Sequence, residues 1–261
     1  MKPILSIITP VLNAEHFIVG CLENVASQNR KDIEHLVIDG GSTDNTRSFT
    51  LAFAETTEHT VRLIDGEGTS QSEALNLGIN EAQSDILGIL NADDFYEAGV
   101  IERVIQRFNK VKKKCSFLCA NCNVLNQKDE VTSVNRPSKM KLSDLLAGRP
   151  YPWNPAAYFY HKLLHEKVGP YDNMDPLTMD IDFILRAVQH AHVVYFDETW
   201  GNFRYIPGAK TFQQGDAILD KVDSVRKRYL DSASMRVKSA ARCKQLIDKL
   251  SHKAGRKFGR T

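Results

Sequence analysis

Asn91-Ala92-Asp93-Asp94 follows directly on the apolar run Ile86-Leu87-Gly88-Ile89-Leu90. Two adjacent carboxylates at the end of a buried strand repel each other and are costly unless a cation neutralises them. A divalent ion bridging a diphosphate does so, and hard oxygen ligands suit Mg²⁺ or Mn²⁺. The alternative is that Asp93 or Asp94 caps a helix beginning near Glu97. Asp39 occupies a comparable place, after Leu36-Val37-Ile38 and before Gly40-Gly41. Its carboxylate can accept an N–H from a nucleobase edge, and the glycines would let a ligand approach the backbone closely. The alternative there is a plain turn aspartate. Asp180 and Asp182 open a helical stretch, where the helix dipole favours negative charge.

These residues need elements to hold them. Ile4–Ile8, Glu34–Ile38, Val61–Ile64 and Ile86–Leu90 read as buried strands, and residues 15–28 and 70–82 as helices between them. Thr43 or Asp44 can cap a further helix after the second strand. Strands alternating with helices imply parallel βαβ units. In open sheets of that kind ligands lie outside the carboxyl ends of the strands. The polar clusters Thr9–Asn13, Asp39–Asp44, Asp65–Gly68 and Asn91–Asp94 all fall at those ends. Further on, Phe117–Leu125 and Ala156–Tyr160 read as strands, with a polar, mobile loop over 126–141 between them. Leu142–Leu146 and 178–190 read as helices. Residues 216–252 read as helical, with Ile218, Val222, Val225 and Tyr229 on a stripe.

The bulk composition narrows the classes. A chain of 261 residues with 42% apolar and 25% charged residues suits one large soluble α/β domain. Its five cysteines are oddly spaced, which argues against a disulfide framework and for a reducing, cytoplasmic setting. Cys119-Ala120-Asn121-Cys122 lacks the second ligand pair of a zinc site and reads as core thiols in a strand. Met1-Lys2-Pro3 runs straight into the first strand, so no secretory signal is expected.

Four strings together carry a resemblance. Ser6-Ile7-Ile8-Thr9-Pro10-Val11-Leu12-Asn13 resembles the opening of the family 2 glycosyltransferases, which have the GT-A fold. Asp39-Gly40-Gly41-Ser42-Thr43-Asp44-Asn45-Thr46 is similar to their second motif. Gln71-Ser72-Glu73-Ala74-Leu75-Asn76-Leu77-Gly78 resembles their donor-side helix start, and Leu90-Asn91-Ala92-Asp93-Asp94 their "DxD" metal motif. This chain has Glu67-Gly68 where many members have an Asp-x-Gly turn, Glu73 where Asp is frequent, and Asn91 at the first metal-motif position. The resemblance implies a GT-A-like α/β fold, with a mostly parallel central sheet flanked by helices and a C-terminal helical extension. Residues 1–110 would form the donor half, 111–215 the acceptor half and 216–261 the basic extension. Pro10, Val11 and Asp39 would line the base pocket, and Asn13, Glu15, Gln71 and Asn76 would lie near the donor. Asp93 would hold Mn²⁺ or Mg²⁺, with Asn91 or Asp94 helping to hold ribose or metal. Met179-Asp180-Ile181-Asp182-Phe183-Ile184-Leu185-Arg186 is similar to the family's base-bearing stretch, which makes Asp180 the general base of an inverting transfer. The implied substrates are a nucleoside-diphosphate sugar, UDP by default, and a glycan or lipid-linked sugar acceptor. Trp153 would stack on an acceptor sugar or else cover the core. Arg204 and Lys210 flank a loop near the expected diphosphate, where each is a leaving-group cation or a surface charge.

Charge is unevenly placed. Residues 221–261 hold 13 Lys/Arg against 3 Asp/Glu, while the remainder holds 21 against 29. A basic tail on an acidic body suggests an anionic partner, such as the inner face of the cell membrane, or simply a solvated helical face. Nucleic acid is disfavoured because the body is acidic and carboxylates crowd the strand ends. A nucleotidyltransferase would want a Gly-rich, cationic loop after the first strand, which Thr9–Glu15 lacks. A non-catalytic scaffold of the same fold requires Asp180 to face away from the metal pair.

Overall fold

β1 (Leu5–Val11), β2 (Ile33–Asp39), β3 (Thr60–Asp65) and β4 (Ile86–Ile89) alternate with α1 (Ile18–Ala26), α2 (Thr46–Thr56) and α3 (Gln71–Glu81). The computed structural model describes residues 2–111, 115–137, 140–173, 175, 177–207 and 210–258, without the side chains of 210, 211, 213, 214, 216 and those from 250 onward. β1 and β2 are buried on both faces, as crossover helices on either side require. The sheet runs β3-β2-β1-β4 in parallel register, so the chain winds outward from β1 and then returns to β1's other side. That reversal makes the carboxyl ends of β1 and β4 a switch point, where a crevice opens. α3 starts where expected because Ser70 and Glu73 form a reciprocal capping box. Glu73, the residue that departs from the family's usual Asp, is thereby committed to the helix start.

The second half completes the same sheet with mixed pairing. β5 (Phe95–Tyr96) leads to α4 (Val100–Val111), then β6 (Ser116–Leu125), β7 (Val131–Asn135) and α5 (Leu142–Leu145). A 3-10 turn (Pro155–Ala157) precedes β8 (Tyr158–His161), α6 (Leu163–Val168), α7 (Met179–Ala187) and β9 (His192–Arg204). β8 lies antiparallel between β4 and β6, while β9 runs parallel to β6 and antiparallel to β5. α4 buries Val100, Ile101, Val104, Ile105 and Phe108 beneath the sheet. Full burial of side chains of this size contributes about 1.5–3 kcal/mol each, which fixes the floor under β4 and β8.

Two expectations need correction. Within the stretch read as a mobile loop, Val131–Asn135 pairs with β6 as β7; its exposed side chains give no apolar run to detect. Ser138 and Lys139 of that stretch lie outside the described residues. Ala156 and Ala157 belong to the 3-10 turn, because Pro155 has no N–H for a ladder and Asn154 caps the turn instead. The segment read as helical over 216–252 comprises α8 (Lys210–Ser232) and α9 (Met235–Phe258), separated at Ala233-Ser234. β9 has no counterpart in the sequence reading, since its polar residues interrupt any simple alternation and its pairing with β6 shifts register near Asn121.

The extension folds back on the body. Val222 and Val225 join the core, and Arg228 and the Tyr229 hydroxyl reach Asp182 at 3.2 and 2.8 Å. Lys244 pairs with Asp144 at 2.6 Å, and Arg149 spans Asp144 and Asp248. Part of the tail's positive charge is therefore balanced within the molecule. Among the described residues, no helix is long and apolar enough to cross a membrane.

Candidate active site

At the end of β4, Asp94 is 1% exposed and surrounded by donors. Asn91 Nδ2 and Asn154 Nδ2 donate to its Oδ2 at 2.9 and 2.7 Å, and the Arg204 amide donates to Oδ1 at 3.1 Å. Hydrogen bonds to a charged group contribute about 1.5–3 kcal/mol each, yet burial still dominates. It raises the Asp94 carboxyl to about 7, with Asp93 adding to the rise and the three donors opposing it. Asp93 is half-buried and is also raised, by burial first, with Arg204 opposing. Neither aspartate caps α4, which begins only at Val100.

A carboxylate pair whose charge is disfavoured by its surroundings is what a divalent cation relieves. Asp94 is buried with both oxygens bonded, while Asp93 is the more exposed member of the pair. Among the described residues, no group of three or more His, Cys, Asp or Glu is arranged to hold a metal by itself. A site of one or two carboxylates completed by phosphate oxygens and water is of a different kind, usual for Mg²⁺, and the Asp93–Asp94 pair fits it. Cys119 and Cys122 lie buried in β6, and burial pushes both thiols up, away from the thiolate a metal needs.

The loops after β1 and β2 are tied to each other. Asn13, at φ 52°, accepts the Thr43 amide at 2.9 Å, and its own amide donates to Ser42 Oγ. Glu15 accepts from the Asn45 amide and side chain, while Asp44 accepts the amides of Glu15 and Thr46. The N-cap of α2 is Asn45, without a side-chain cap bond, rather than Thr43 or Asp44; Asp44 instead bridges the two loops. Pro10 and Val11 end β1 beside Ile38 and Asp39. Asp39 is fully buried; its Oδ1 accepts the Ser42 amide and its Oδ2 takes Arg47 at 2.6 Å. A carboxylate oxygen can accept more than one bond, so Asp39 keeps capacity for a further donor. Gln71 opens α3. The side-chain amide of Asn76 exchanges two hydrogen bonds with the backbone of Tyr171 at 2.8 and 3.0 Å. That exchange joins α3 to the segment before α7.

Asp180 lies in the first turn of α7 and is half-buried. The Tyr158 hydroxyl donates to its Oδ1 at 2.9 Å. Burial raises the carboxyl to about 6, against the lowering effect of that bond. Asp182, two residues on, points instead to Arg186, Arg228 and Tyr229 and anchors α8, a larger role than a helix-dipole charge.

The segment 154–158 joins the two centres. Asn154 holds Asp94, Tyr158 holds Asp180, and the two are four residues apart. Even a fully extended chain of that length spans at most about 14 Å between Cα atoms. β9 reaches this turn because Gly201 passes Ala156, where a Cβ would fall 2.6–2.8 Å from Ala156 atoms. The metal-motif carboxylate and the candidate base therefore share one edge of the sheet.

The sequence model described as "Glycosyl transferase family 2" matches residues 6–159, more than half of the chain and the part that carries all four N-terminal strings. The chain belongs to glycosyl transferase family 2. A PGL/p-HBAD biosynthesis glycosyltransferase of Mycobacterium bovis is 31% identical over 195 residues, covering 74% of this chain and 72% of that relative. An uncharacterized glycosyltransferase of Rickettsia felis is 26% identical over 211 residues, or 76% of this chain. The chain spans only 33% of that relative's length and 62% of a similar protein of Rickettsia typhi. Among solved structures, S. aureus TarS 1–349 in complex with UDP-GlcNAc superposes with a TM-score of 0.66 at 16% identity, over 92% of this chain and 69% of that one. Mannosyltransferase PcManGT from Pyrobaculum calidifontis, in complex with GDP-Man and Mn²⁺, gives 0.58 at 15% identity over 95% and 81%. The family member described here has their GT-A fold.

Sequence reasoning assigned no role to two contributors to this family member's site, Asn154 and Tyr158. Asn154 is a lone polar residue between Trp153 and Pro155, a faint signal by itself. Tyr158 lies within the strand signal, with nothing in sequence to link it to Asp180. Arg204, expected as a leaving-group cation or a surface charge, lies against the metal motif. Its guanidinium clamps Asp129 at 2.7 and 3.0 Å, holds the Asp93 carbonyl and stacks on Phe95. The neighbouring Gly208 and the Lys210 side chain lie outside the described residues. Trp153 is 54% exposed beside Asn154, so it does not cover the core; the buried tryptophan is Trp200.

Proposed function

We propose that this chain is an inverting, metal-assisted glycosyltransferase that moves a hexosyl or N-acetylhexosaminyl group from a nucleoside-diphosphate sugar to a hydroxyl acceptor, a lipid-linked or polysaccharide glycan. The observation that carries the reading is the 154–158 segment, which bonds the metal-motif carboxylate at one end and the candidate base at the other. A scaffold role needs Asp180 turned away from that pair, and this shared edge counts against it. Residues 1–110 serve as the donor half, 111–215 as the acceptor half and 216–261 as the basic extension.

Asp39, with Pro10 and Val11, reads the base. Asn13 and Glu15 keep the donor loops in register, and Gln71 and Asn76 belong to the helix that borders them. Asp93, supported by Asn91 and Asp94, holds Mn²⁺ or Mg²⁺. A bound divalent ion supplies charge neutralisation to the departing diphosphate. Asp180 takes the proton of the acceptor hydroxyl as that oxygen bonds to the anomeric carbon. The bond from that carbon to the diphosphate oxygen breaks on the opposite face, which inverts the centre. A base poised near 6 is ionised at neutral pH and still basic enough to accept a proton. Trp153, exposed beside this edge, offers its face to the acceptor sugar.

UDP is the first donor nucleotide to try, since UDP and UDP-GlcNAc complexes exist for TarS and a GDP-Man complex for PcManGT. Calorimetry with UDP, dTDP and GDP, each with and without Mn²⁺, is expected to give metal-dependent heat for one of them. Absence of binding by all three under both conditions would favour the scaffold reading.

The extension adds a membrane proposal. α9 exposes Met235 and Leu246 beside Arg236, Arg242 and Lys249. Cationic side chains near an anionic surface contribute about 1 kcal/mol each. The full chain is expected to sediment with phosphatidylserine or phosphatidylglycerol vesicles at low salt and to be released at high salt. Equal recovery in the supernatant with neutral and anionic vesicles sinks the idea.

A further inference from the structure

Tyr158 sits where an apolar residue would suffice for packing. It is fully buried in the layer of Phe117, Tyr160 and Phe183, with the Phe117 ring stacked at 5.1 Å. A buried hydroxyl needs a partner, and leaving it without one costs about 1–3 kcal/mol. Its single proton goes to Asp180 Oδ1 at 2.9 Å. The Tyr171 hydroxyl lies 3.4 Å behind it, so Tyr171 is the donor in that contact. Tyr160, two residues along the strand and equally buried, bonds His165 Nε2 at 3.0 Å instead.

We infer that Tyr158 is a positioning residue of this enzyme: its buried phenol fixes Oδ1 of Asp180 against the core and leaves Oδ2 for the acceptor proton. The inference rests on the function proposed above, in which Asp180 is the base. A carboxylate at the first turn of a helix can rotate, and a base works only within about 3 Å of the proton it removes. One fixed oxygen removes that freedom. The same bond favours the ionised form and offsets part of the burial that raises this carboxyl.

The groups that sense Asp180 electrostatically are phenols: Tyr151 before the 3-10 turn, Tyr158 and Tyr160 on β8, and Tyr171 ahead of α7. Burial raises all four, so they remain neutral through the range in which Asp180 titrates. Arg226 and Asp223 of α8 act on Tyr151 rather than on Asp180 directly. With Mn²⁺ saturating, so that the Asp93–Asp94 pair stays ionised, the low-pH limb of the rate reports Asp180 and its donor.

The test is the pH profile of kcat/KM, measured as sugar transfer to an acceptor or as slow transfer to water. Tyr158→Phe removes the donor, so the acid midpoint is expected to rise by about one unit, the scale of one lost hydrogen bond to a charge. kcat on the plateau should fall several-fold with KM for the donor unchanged. Tyr160→Phe, which removes an equally buried hydroxyl from the same strand, should leave the midpoint in place. Placing 3-fluorotyrosine at 158 keeps the shape and strengthens the donor, so the midpoint should move down; this arm stands even if Tyr158→Phe folds poorly. A wild-type profile in both Tyr158 replacements overturns the inference. If Asp180→Asn retains wild-type activity, the base assignment itself fails, which is a different result from an inactive Asp180→Asn with unmoved Tyr158 variants.

Discussion

Asp180→Asn is expected to lower kcat about a thousandfold, within the 10²–10⁴ range for loss of a general base, while donor binding stays unchanged. Asn is nearly isosteric, and its amide oxygen still accepts the Tyr158 hydroxyl that now meets Oδ1 at 2.9 Å. The fold should therefore survive, and the loss should fall on the proton-transfer step alone. The wild-type rate carries a matching signature. With its carboxyl raised to about 6, Asp180 is ionised above that value and protonated below it. At saturating Mn²⁺, which keeps the Asp93–Asp94 pair ionised, kcat/KM should be flat from about pH 7 upward and fall tenfold per unit below about pH 6. Steady-state kinetics of both proteins, with calorimetric donor binding as the control, checks the pair of statements. A variant within tenfold of wild type would mean that another group removes the proton.

Asp93→Ala should weaken nucleotide binding in Mn²⁺ by about a hundredfold or more, the order of several kcal/mol attached to a metal bridge, and should abolish the difference between Mn²⁺ and chelator. Stability should move the other way. Asp93 is raised by burial and itself pushes Asp94 upward, so in the metal-free protein their proximity is unfavourable. Removing Asp93 relieves that repulsion, and the Tm of the metal-free variant should equal or exceed wild type. Asp94 is different: it is 1% exposed and holds Asn91, Asn154 and the Arg204 amide. Thermal melts beside the calorimetry separate the two effects. Tight binding that still depends on Mn²⁺ in Asp93→Ala would remove the metal assignment.

What the sequence determined by itself is mostly local or periodic. The first four strands and their helices are legible because each is a short apolar run bounded by turn formers, and parallel pairing follows from strict alternation with helices. The C-terminal edge of β1 and β4 is legible as a ligand site because Thr9–Asn13, Asp39–Asp44 and Asn91–Asp94 all stop strands there. The Ser70–Glu73 cap and the carboxylate pair at 93–94 are likewise short-range patterns. The tertiary structure decided everything that depends on distant residues meeting. β7 and β9 exist because β6 offers them an edge, and their own polar residues give no alternation to detect. Asn76 is committed to Tyr171, Asp182 to α8 and Arg204 to Asp129, partners 46 to 95 positions away that no local pattern encodes. The basic tail meets acids of its own body at Asp144, Asp175 and Asp182, so composition registered the asymmetry but not its partial internal neutralisation. The raised carboxyls of Asp94 and Asp180 arise from desolvation, which is a property of enclosure by several elements at once. Burial is set by packing rather than by neighbours in sequence, and for that reason the chemistry of the site became readable only when Asn154 and Tyr158 came to rest against Asp94 and Asp180.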